Sequence, residues 1–173
     1  MSGLAIAVSR RLSAFHCGHV AWGYAREDGG RTFYSFGSVE DPIGLPFAPP
    51  SVMKFWTATA ESGALDPVLD RLGEFGYTSY KRWTVAGADP LAADRIAAVQ
   101  GSRPYWVFTN NCLDSVHRVL TAYGADHTHI HDPSRPGSWI PNRWFDMIPF
   151  QSRPITGLAA DLGDHAGRNR LSL

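Results

Sequence analysis

The sequence predicts an α+β protein in which a small antiparallel sheet packs against a helix that begins near Cys112. Two patterns indicate this. Two apolar and aromatic runs, residues 20–25 and 32–36, flank an Asp-Gly-Gly turn and predict a β-hairpin. After Cys112, apolar residues recur at helical spacing and stop at Gly124, which predicts a buried amphipathic helix. These apolar residues are Leu113, Val116, Leu120 and Tyr123.

Four further segments carry signals of regular structure. Residues 65–75 place apolar side chains on one helical face, and residues 77–85 alternate as a strand does. Asp89, followed by a proline, predicts the capped start of a second helix over residues 90–100. Residues 105–108 are strand-like again and lead directly to the cysteine helix.

We expect a single domain over residues 1–156 and a disordered tail over residues 157–173. The chain of 173 residues has the size of one domain, and a hydrophobic content of 44% is enough for a substantial core. The last residues are rich in Gly, Asp and Arg, which is typical of a poorly ordered tail. Residues 41–51 hold four prolines and predict a long irregular loop, of the kind that is often functional.

Charge and composition disfavour several classes of partner. Sixteen basic and sixteen acidic residues leave no net charge, so neither nucleic acid nor an anionic membrane surface is favoured. The N-terminal apolar run precedes Arg10 and Arg11, the reverse of a signal peptide, and no stretch approaches the length of a membrane span. We therefore expect a cytoplasmic protein whose partner is a small molecule or a peptide. The chain has no phosphate-binding loop and no zinc ribbon, and we expect neither a cofactor nor a metal.

Cys112 and His19 are the candidate catalytic residues. A helix N-terminus offers amide groups and a positive dipole end, which stabilise a thiolate. A cysteine nucleophile also needs an imidazole that takes the thiol proton and later protonates the leaving group. His19 stands at the head of the first hairpin strand, where a sheet could present it to the helix start. Asn110 and Asn111 precede the cysteine and could cap the helix, donate to an oxyanion or form a turn; capping is the simplest explanation.

The order of these motifs resembles the circularly permuted papain-like superfamily, which includes lecithin retinol acyltransferase-like and permuted NlpC-like proteins. The motifs are Gly18-His19 before an apolar strand, a turn and second strand, and then Tyr-x-Val-x-x-Asn-Asn-Cys112 with its helix. The similarity spans residues 18–124, and the histidine precedes the cysteine as in the permuted branch. It implies a permuted papain-like fold, a Cys–His pair, an oxyanion site at the amide of Cys112, and acyl-thioester chemistry.

The same resemblance implies a third polar residue that orients the imidazole, on or near the strand after the histidine strand. Residues 33–40 contain no histidine, which departs from the acyltransferase-like pattern. We choose Glu40, because a carboxylate stabilises an imidazolium better than the hydroxyls of Ser35 and Ser38 do. The alternative is that Glu40 is a solvated residue before a turn.

Cys17 is a rival nucleophile. It lies two residues before His19, so on a strand the two side chains would share one face. Cys17 lacks the helix start that stabilises a thiolate, and we rank it below Cys112. The tryptophans are core candidates, although with the proline-rich loop they could line a cleft for an apolar or peptidic acyl group. They include Trp22, Trp56, Trp106, Trp139 and Trp144.

Three alternating histidines are the main competing signal. On a strand His127, His129 and His131 would point to one face and could bind a transition metal, with Asp126 or Asp132 as oxygen ligands. The segment is rich in Pro and Asp and follows a helix-ending glycine, so a polar loop is the alternative that we favour.

The sequence therefore predicts a cysteine-dependent acyl-transfer enzyme. The Cys112 thiolate would attack an amide, ester or thioester carbonyl, with His19 as general base and then acid. We favour a hydrolase, a peptidase or amidase that acts on a peptide-like amide. One alternative is an acyltransferase or transpeptidase that passes the acyl group to an amine or alcohol. The other is a metal- or ligand-binding protein organised by the three histidines, with Cys112 inert.

Overall fold

The computed structural model of the chain describes residues 2–13, 16–37, 47–48, 55–60 and 63–155, with the backbone alone at 47–48 and 55–60. Within these ranges the strands are β1 (Ser2–Arg10), β2 (His19–Asp28), β3 (Arg31–Gly37), β4 (Phe47–Ala48), β5 (Phe55–Ala60), β6 (Ser79–Ala86), β7 (Tyr105–Trp106) and β8 (Arg153–Pro154). The helices are α1 (Asp66–Glu74), α2 (Pro90–Gly101), α3 (Cys112–Tyr123) and α4 (Pro141–Met147). The α+β class is confirmed.

The main sheet is antiparallel in the order β5-β3-β2-β1-β6-β8. Five of these strands are longer than two residues, and β8 forms a short edge. Strand β1 lies in the middle, paired with β2 on one side and β6 on the other. The sequence showed β1 only as an apolar run, because a strand that is covered on both faces lacks the polar alternation of a half-exposed strand.

Helices cover both faces of the sheet. Alternate residues along β1 and β2 point to opposite faces and form two separate cores. The α3-side core joins α2, α3 and α4 to the sheet through Ala5, Ala7, Val20, Trp22, Tyr24, Trp83 and Val85. The α1-side core joins α1 to the opposite face through Ile6, Val8, Ala21, Tyr34 and Phe36, with Tyr77 beside them.

The predicted hairpin is confirmed as β2 and β3, which extend beyond the predicted runs. Asp28 pairs with Arg31 across a two-residue turn of Gly29 and Gly30. Both glycines have positive φ, 57° and 78°, a conformation that glycine adopts without steric cost. The pairing starts β2 at His19, as the sequence predicted.

The predicted helices are confirmed as α1, α2 and α3. The side chain of Asp89 accepts a hydrogen bond from the amide of Ala92, which confirms the predicted cap of α2. The predicted strand over residues 105–108 is wrong in its second half. Only β7 is strand, because the amides of Thr109 and Asn110 both donate to the carbonyl of Trp106 and turn the chain there.

Helix α4 and strands β1, β4, β5 and β8 are elements that the sequence analysis did not predict, and β4 lies within the segment predicted to be an irregular loop. Residues 157–173, the predicted tail, and most of the loop predicted for residues 41–51 lie outside the described part of the chain. Within that part, no helix combines the length and the apolar character needed to cross a lipid bilayer.

Candidate active site

Cys112 is the first residue of α3, and a capping box fixes the helix start around it. Asn111 Oδ1 accepts hydrogen bonds from the amides of Leu113 and Asp114 over 2.9 and 3.1 Å. The Asp114 carboxylate accepts in return from the amide of Asn111 over 3.2 Å. The predicted capping role of Asn111 is thereby confirmed. The cap does not use the amide of Cys112, and this N–H has no acceptor within the helix either.

Asn110 holds the turn that precedes the helix. Its side-chain amide donates to the carbonyl of Pro104 over 2.8 Å, and its backbone exchanges hydrogen bonds with Trp106. The Asn110 side chain is therefore engaged as a donor in the turn, and Asn110 is not among the described residues that line the cleft of Cys112, which argues against its alternative role as an oxyanion donor. Asn111 also contributes to this turn, because its side-chain Nδ2 donates to the carbonyl of Val107 over 2.9 Å.

His19 is buried at the first position of β2, where it pairs with Arg10 of β1. The centroid of its ring lies 6.1 Å from that of the Tyr77 ring. Val20 faces the α3-side core, and Tyr77 belongs to the α1-side core. The imidazole therefore lies toward the α1 side at the end of the strand, whereas the thiol lies on the α3 side.

Helix α4 anchors the segment that leads into His19. The amide of Asn142 donates to the carbonyl of Cys17 over 3.0 Å. Its side chain donates to the carbonyls of Arg11 and His16 over 3.1 and 2.9 Å. Gly18 has a φ of 87°, and a Cβ at this position would lie 2.0 Å from Asn142 Oδ1. Only glycine fits there, so Asn142 and Gly18 together position the chain before His19.

A cleft of about 550 Å³ brings the two predicted catalytic residues to one place. Cys112 is only 4% exposed and lies at its base, whereas Phe108 and Trp139 are 78% and 69% exposed and stand at its rim. Asp114 is the one carboxylate among the described lining residues, and the capping box engages it. The other lining residues are Cys17, Gly18, His19, Tyr105, Val107, Asn111, Leu113, Pro133, Ser134, Ile140 and Pro141.

The thiol and the imidazole share this cleft without a hydrogen bond between them. Within the described residues, the Cys112 sulfur has no hydrogen-bond partner. Catalytic hydrogen bonds are often long in a substrate-free enzyme and tighten when substrate binds. A Cys–His pair would thus require the thiol and the imidazole to come closer when substrate binds.

The rival thiol, Cys17, also lines the cleft and is exposed. It lies in the turn before β2, which begins only at His19. The predicted sharing of one strand face by Cys17 and His19 is therefore wrong. Both cysteines are free thiols.

Of the three residues considered for orienting the imidazole, the structure describes Ser35. Glu40 and Ser38 lie outside the described residues, so the role of Glu40 stays a prediction. Ser35 lies in β3 opposite Tyr24, five residues along β2 from His19. At that distance the Ser35 hydroxyl does not orient the His19 ring.

The three alternating histidines lie in a turn and not on a strand, so the predicted common face is wrong and the polar-loop alternative is confirmed. His127 is exposed, and His131 Nε2 lies 3.2 Å from the carbonyl of Met147. In the part of the chain that the structure describes, no three His, Cys, Asp or Glu side chains are grouped to hold a metal ion.

His129 has a structural environment of its own. Its Nδ1 lies 2.8 Å from a carboxylate oxygen of Asp126. Its ring lies beside the stacked rings of Trp83 and Phe150, with centroid distances of 6.4 and 5.9 Å. Hydrogen bonds from the hydroxyl and amide of Thr128, with a smaller contribution from His129, lower the pKa of Asp126 to about 2. These contacts stabilise a turn on the surface of the α3-side core.

The tryptophans divide between core and surface. Trp22 and Trp144 are buried in the α3-side core, as expected for a core role. Trp139 lines the cleft, as the alternative role predicted, and Trp106 lies partly exposed outside it. The side chain of Trp56 lies outside the described part.

Comparison with known proteins identified no match to this chain. No family model, no curated protein and no solved structure matches it. The class of the molecule is therefore defined by its own fold and cleft, and its function has to be inferred from the chemistry of that cleft.

Proposed function

We propose that this protein is a cysteine-dependent acyl-transfer enzyme, a hydrolase of peptide-like amides, with Cys112 as nucleophile and His19 as general base and acid. One observation carries the proposal. The first residue of a capped helix and the first residue of the adjacent strand line the same cleft, and they are a cysteine and a histidine.

The chemistry assigns a role to each group around the thiol. The Cys112 sulfur attacks the substrate carbonyl, and His19 takes the thiol proton. The oxyanion that forms accepts a hydrogen bond from the amide of Cys112, which the Asn111 cap leaves unused. His19 then gives its proton to the departing amine, and a thioester remains on Cys112. Water attacks this thioester, releases the acid and restores the thiol.

The permuted papain-like fold is part of the same proposal. The histidine strand precedes the cysteine helix, and α3 packs on the sheet beside β2. In this arrangement Glu40, after β3, is the carboxylate that orients the His19 imidazole. A reducing compartment such as the cytoplasm would keep the Cys112 thiol free for catalysis.

The rim of the cleft indicates which acyl groups are accepted. Phe108 and Trp139 offer large exposed apolar surfaces, and the lining also includes Val107 and Ile140. Exposed aromatic side chains of this size are frequent where a ligand binds. Transfer to an amine or alcohol uses the same acyl-enzyme and is the alternative outcome of the second step.

The two cysteines serve as each other's control in the first test. Only a thiolate reacts with iodoacetamide, so at about pH 6.5 a stabilised thiolate is distinguished from an ordinary thiol. We expect fast stoichiometric labelling of Cys112 in the Cys17→Ser variant and slow labelling of Cys17 in Cys112→Ala. His19→Gln should slow labelling of Cys112 at least about tenfold. Equally slow labelling of the two cysteines would contradict the proposal.

Turnover provides the second test. With chromogenic anilides of N-acyl amino acids, we expect release of one equivalent of aniline per protein in a burst, and a mass increase on Cys112 equal to the acyl group. Hydrolysis then yields the free acid, whereas transfer yields a new amide when a peptide amine is added. A mass increase on Cys17 instead would show that Cys112 is not the nucleophile.

A further inference from the structure

A second cavity of about 440 Å³ lies between α2 and α3, apart from the cleft of Cys112. We call it the α2–α3 groove. Residues 96–103 contribute one wall and residues 117–122 the other. The described lining residues are Ile96, Val99, Gln100, Arg103, His117, Arg118, Thr121 and Ala122.

The charge of the groove has one sign. Arg103 and Arg118 line it, and no acidic side chain is among the described lining residues. Neither arginine makes an ion pair within the described part of the chain. His117, next to Arg118 in the sequence, also lines the α3 wall. Burial lowers its pKa, and the carboxylates of Asp132 and Asp114 act on it from outside the groove. Two unpaired guanidinium groups in one groove provide a fork of donors for a carboxylate.

The rest of the lining is apolar apart from two polar side chains. Val99 is 43% exposed, and Ile96 and Ala122 lie beside it. These side chains form an apolar strip next to the arginines. A ligand that fits both parts has an apolar body and an anionic end.

The side chain of Gln100 indicates that the ligand also carries a hydrogen-bond donor. Its side chain lines the groove although it is only 3% exposed, and its Oε1 has no hydrogen-bond partner among the described residues. A buried amide oxygen without a partner is destabilising. The terminal amide torsion of glutamine is soft, so a small turn would present the oxygen to a donor in the groove.

We propose that the α2–α3 groove binds a small N-acyl amino acid, an amphiphilic carboxylate with an amide N–H. The carboxylate pairs with Arg103 and Arg118, the acyl chain covers Ile96 and Val99, and the N–H donates to Oε1 of Gln100. The site is separate from the proposed catalytic cleft and does not depend on catalysis there.

The experiment is an NMR titration of the Cys112→Ala protein, so that the result is independent of acyl-enzyme formation. The probe is N-octanoylglycine, compared with its methyl ester, which has no charge, and with N-octanoylsarcosine, which has no N–H. We expect saturable shifts of the amides of residues 96–103 and 117–122. The ester should bind at least about tenfold more weakly, since it loses both arginine contacts, and the sarcosine several-fold more weakly.

Variants locate the binding to single residues. Arg103→Gln with Arg118→Gln should weaken binding at least about tenfold, whereas Arg95→Gln, on an exposed part of α2 outside the groove, should leave it unchanged. Gln100→Met should weaken binding and raise the midpoint of thermal unfolding, because it removes the unpaired oxygen. Equal binding of the ester, or equal loss in Arg95→Gln, would overturn the proposal. Equal binding of the sarcosine, or a lowered midpoint with unchanged affinity in Gln100→Met, would overturn the role of Gln100.

Discussion

Trp22 Nε1 donates a buried hydrogen bond to Ser115 Oγ over 3.1 Å, and this bond joins the strand of His19 to the helix of Cys112. Trp22 lies three residues after His19, and Ser115 lies three residues after Cys112. The bond therefore fixes the position of α3 along the direction of β2, and with it the relative position of the two proposed catalytic residues.

Ser115→Ala should lower the free energy of unfolding by about 1 kcal/mol, because it removes the buried hydrogen bond between the two side chains. Urea unfolding measures the loss. Ser152→Ala, at an exposed position before β8, is the matched control and should change stability by about 0.5 kcal/mol or less. A double-mutant cycle with Trp22→Phe isolates the bond, and a coupling energy of zero would show that the two residues do not support each other.

Two variants of Asn111 should separate its effect on helix stability from its effect on the reactivity of the Cys112 thiol. Asn111→Asp keeps an acceptor for the amides of Leu113 and Asp114. It loses the exposed donor to the Val107 carbonyl but gains a negative charge at a helix N-terminus, so stability should stay within about 0.5 kcal/mol. The added negative charge beside Cys112 disfavours the thiolate, so iodoacetamide labelling at about pH 6.5 should slow. Asn111→Ala should instead cost about 1 kcal/mol of stability in urea. Unchanged labelling of Asn111→Asp would contradict a reactive thiolate at the helix start.

Tyr24 should give the fold a distinct response to alkaline pH. Burial, and secondarily its hydrogen bond to Asp94, raise the pKa of Tyr24 above its ordinary value of 10.0. A raised folded-state pKa contributes stability below pH 10, and this contribution is lost as pH rises further, because the unfolded chain ionises first. Wild-type protein should therefore lose about 1.4 kcal/mol more than Tyr24→Phe for each pH unit above 10.

Urea unfolding at about pH 8 and pH 11 measures this difference. At the lower pH, Tyr24→Phe should be less stable than wild type by about 1–2 kcal/mol, since the bond to Asp94 is missing. Tyr34 and Tyr123 also have raised pKa values and are present in both proteins, so they cancel in the comparison. Parallel pH profiles would show that Tyr24 ionises equally in the folded and unfolded states.

Glu40→Gln should reduce turnover without reducing stability. If the carboxylate orients the His19 imidazole, the amide should lower kcat by about tenfold or more and change KM little. Glu74→Gln, at the exposed end of α1, is the control and should leave both constants unchanged. Equal kinetics of the two variants would assign Glu40 to the solvated alternative.

Local sequence patterns predicted the hairpin and α1 to α3, because their signals are contained in short segments. The two glycines between β2 and β3 and the capping residues Asp89 and Asn111 act within a few residues of their partners. The same locality explains the misplaced strand after Trp106. Its apolar side chains have strand-like composition, but the backbone of Asn110 folds back on Trp106.

The cleft itself could be predicted only in part. Cys112 and His19 were found from a helix start and a strand start, and both line the cleft. The direction of the His19 ring depends on the pairing of β1 with β2, which the sequence does not reveal. Asn142 and Trp139 lie more than a hundred residues from His19, so no local signal connects them with the site.

The anchoring of Cys17 and His16 by Asn142 bears on the order in which the cleft is built during synthesis. The ribosome releases His19 first, then Cys112, and only afterwards Asn142. A nascent chain that ends before α4 therefore already contains Cys112 and His19. The segment between β1 and β2, however, still lacks its hydrogen bonds to Asn142. Completion of the cleft is therefore a late step of synthesis, and termination before Asn142 should yield a chain that contains Cys112 and His19 but lacks the complete cleft.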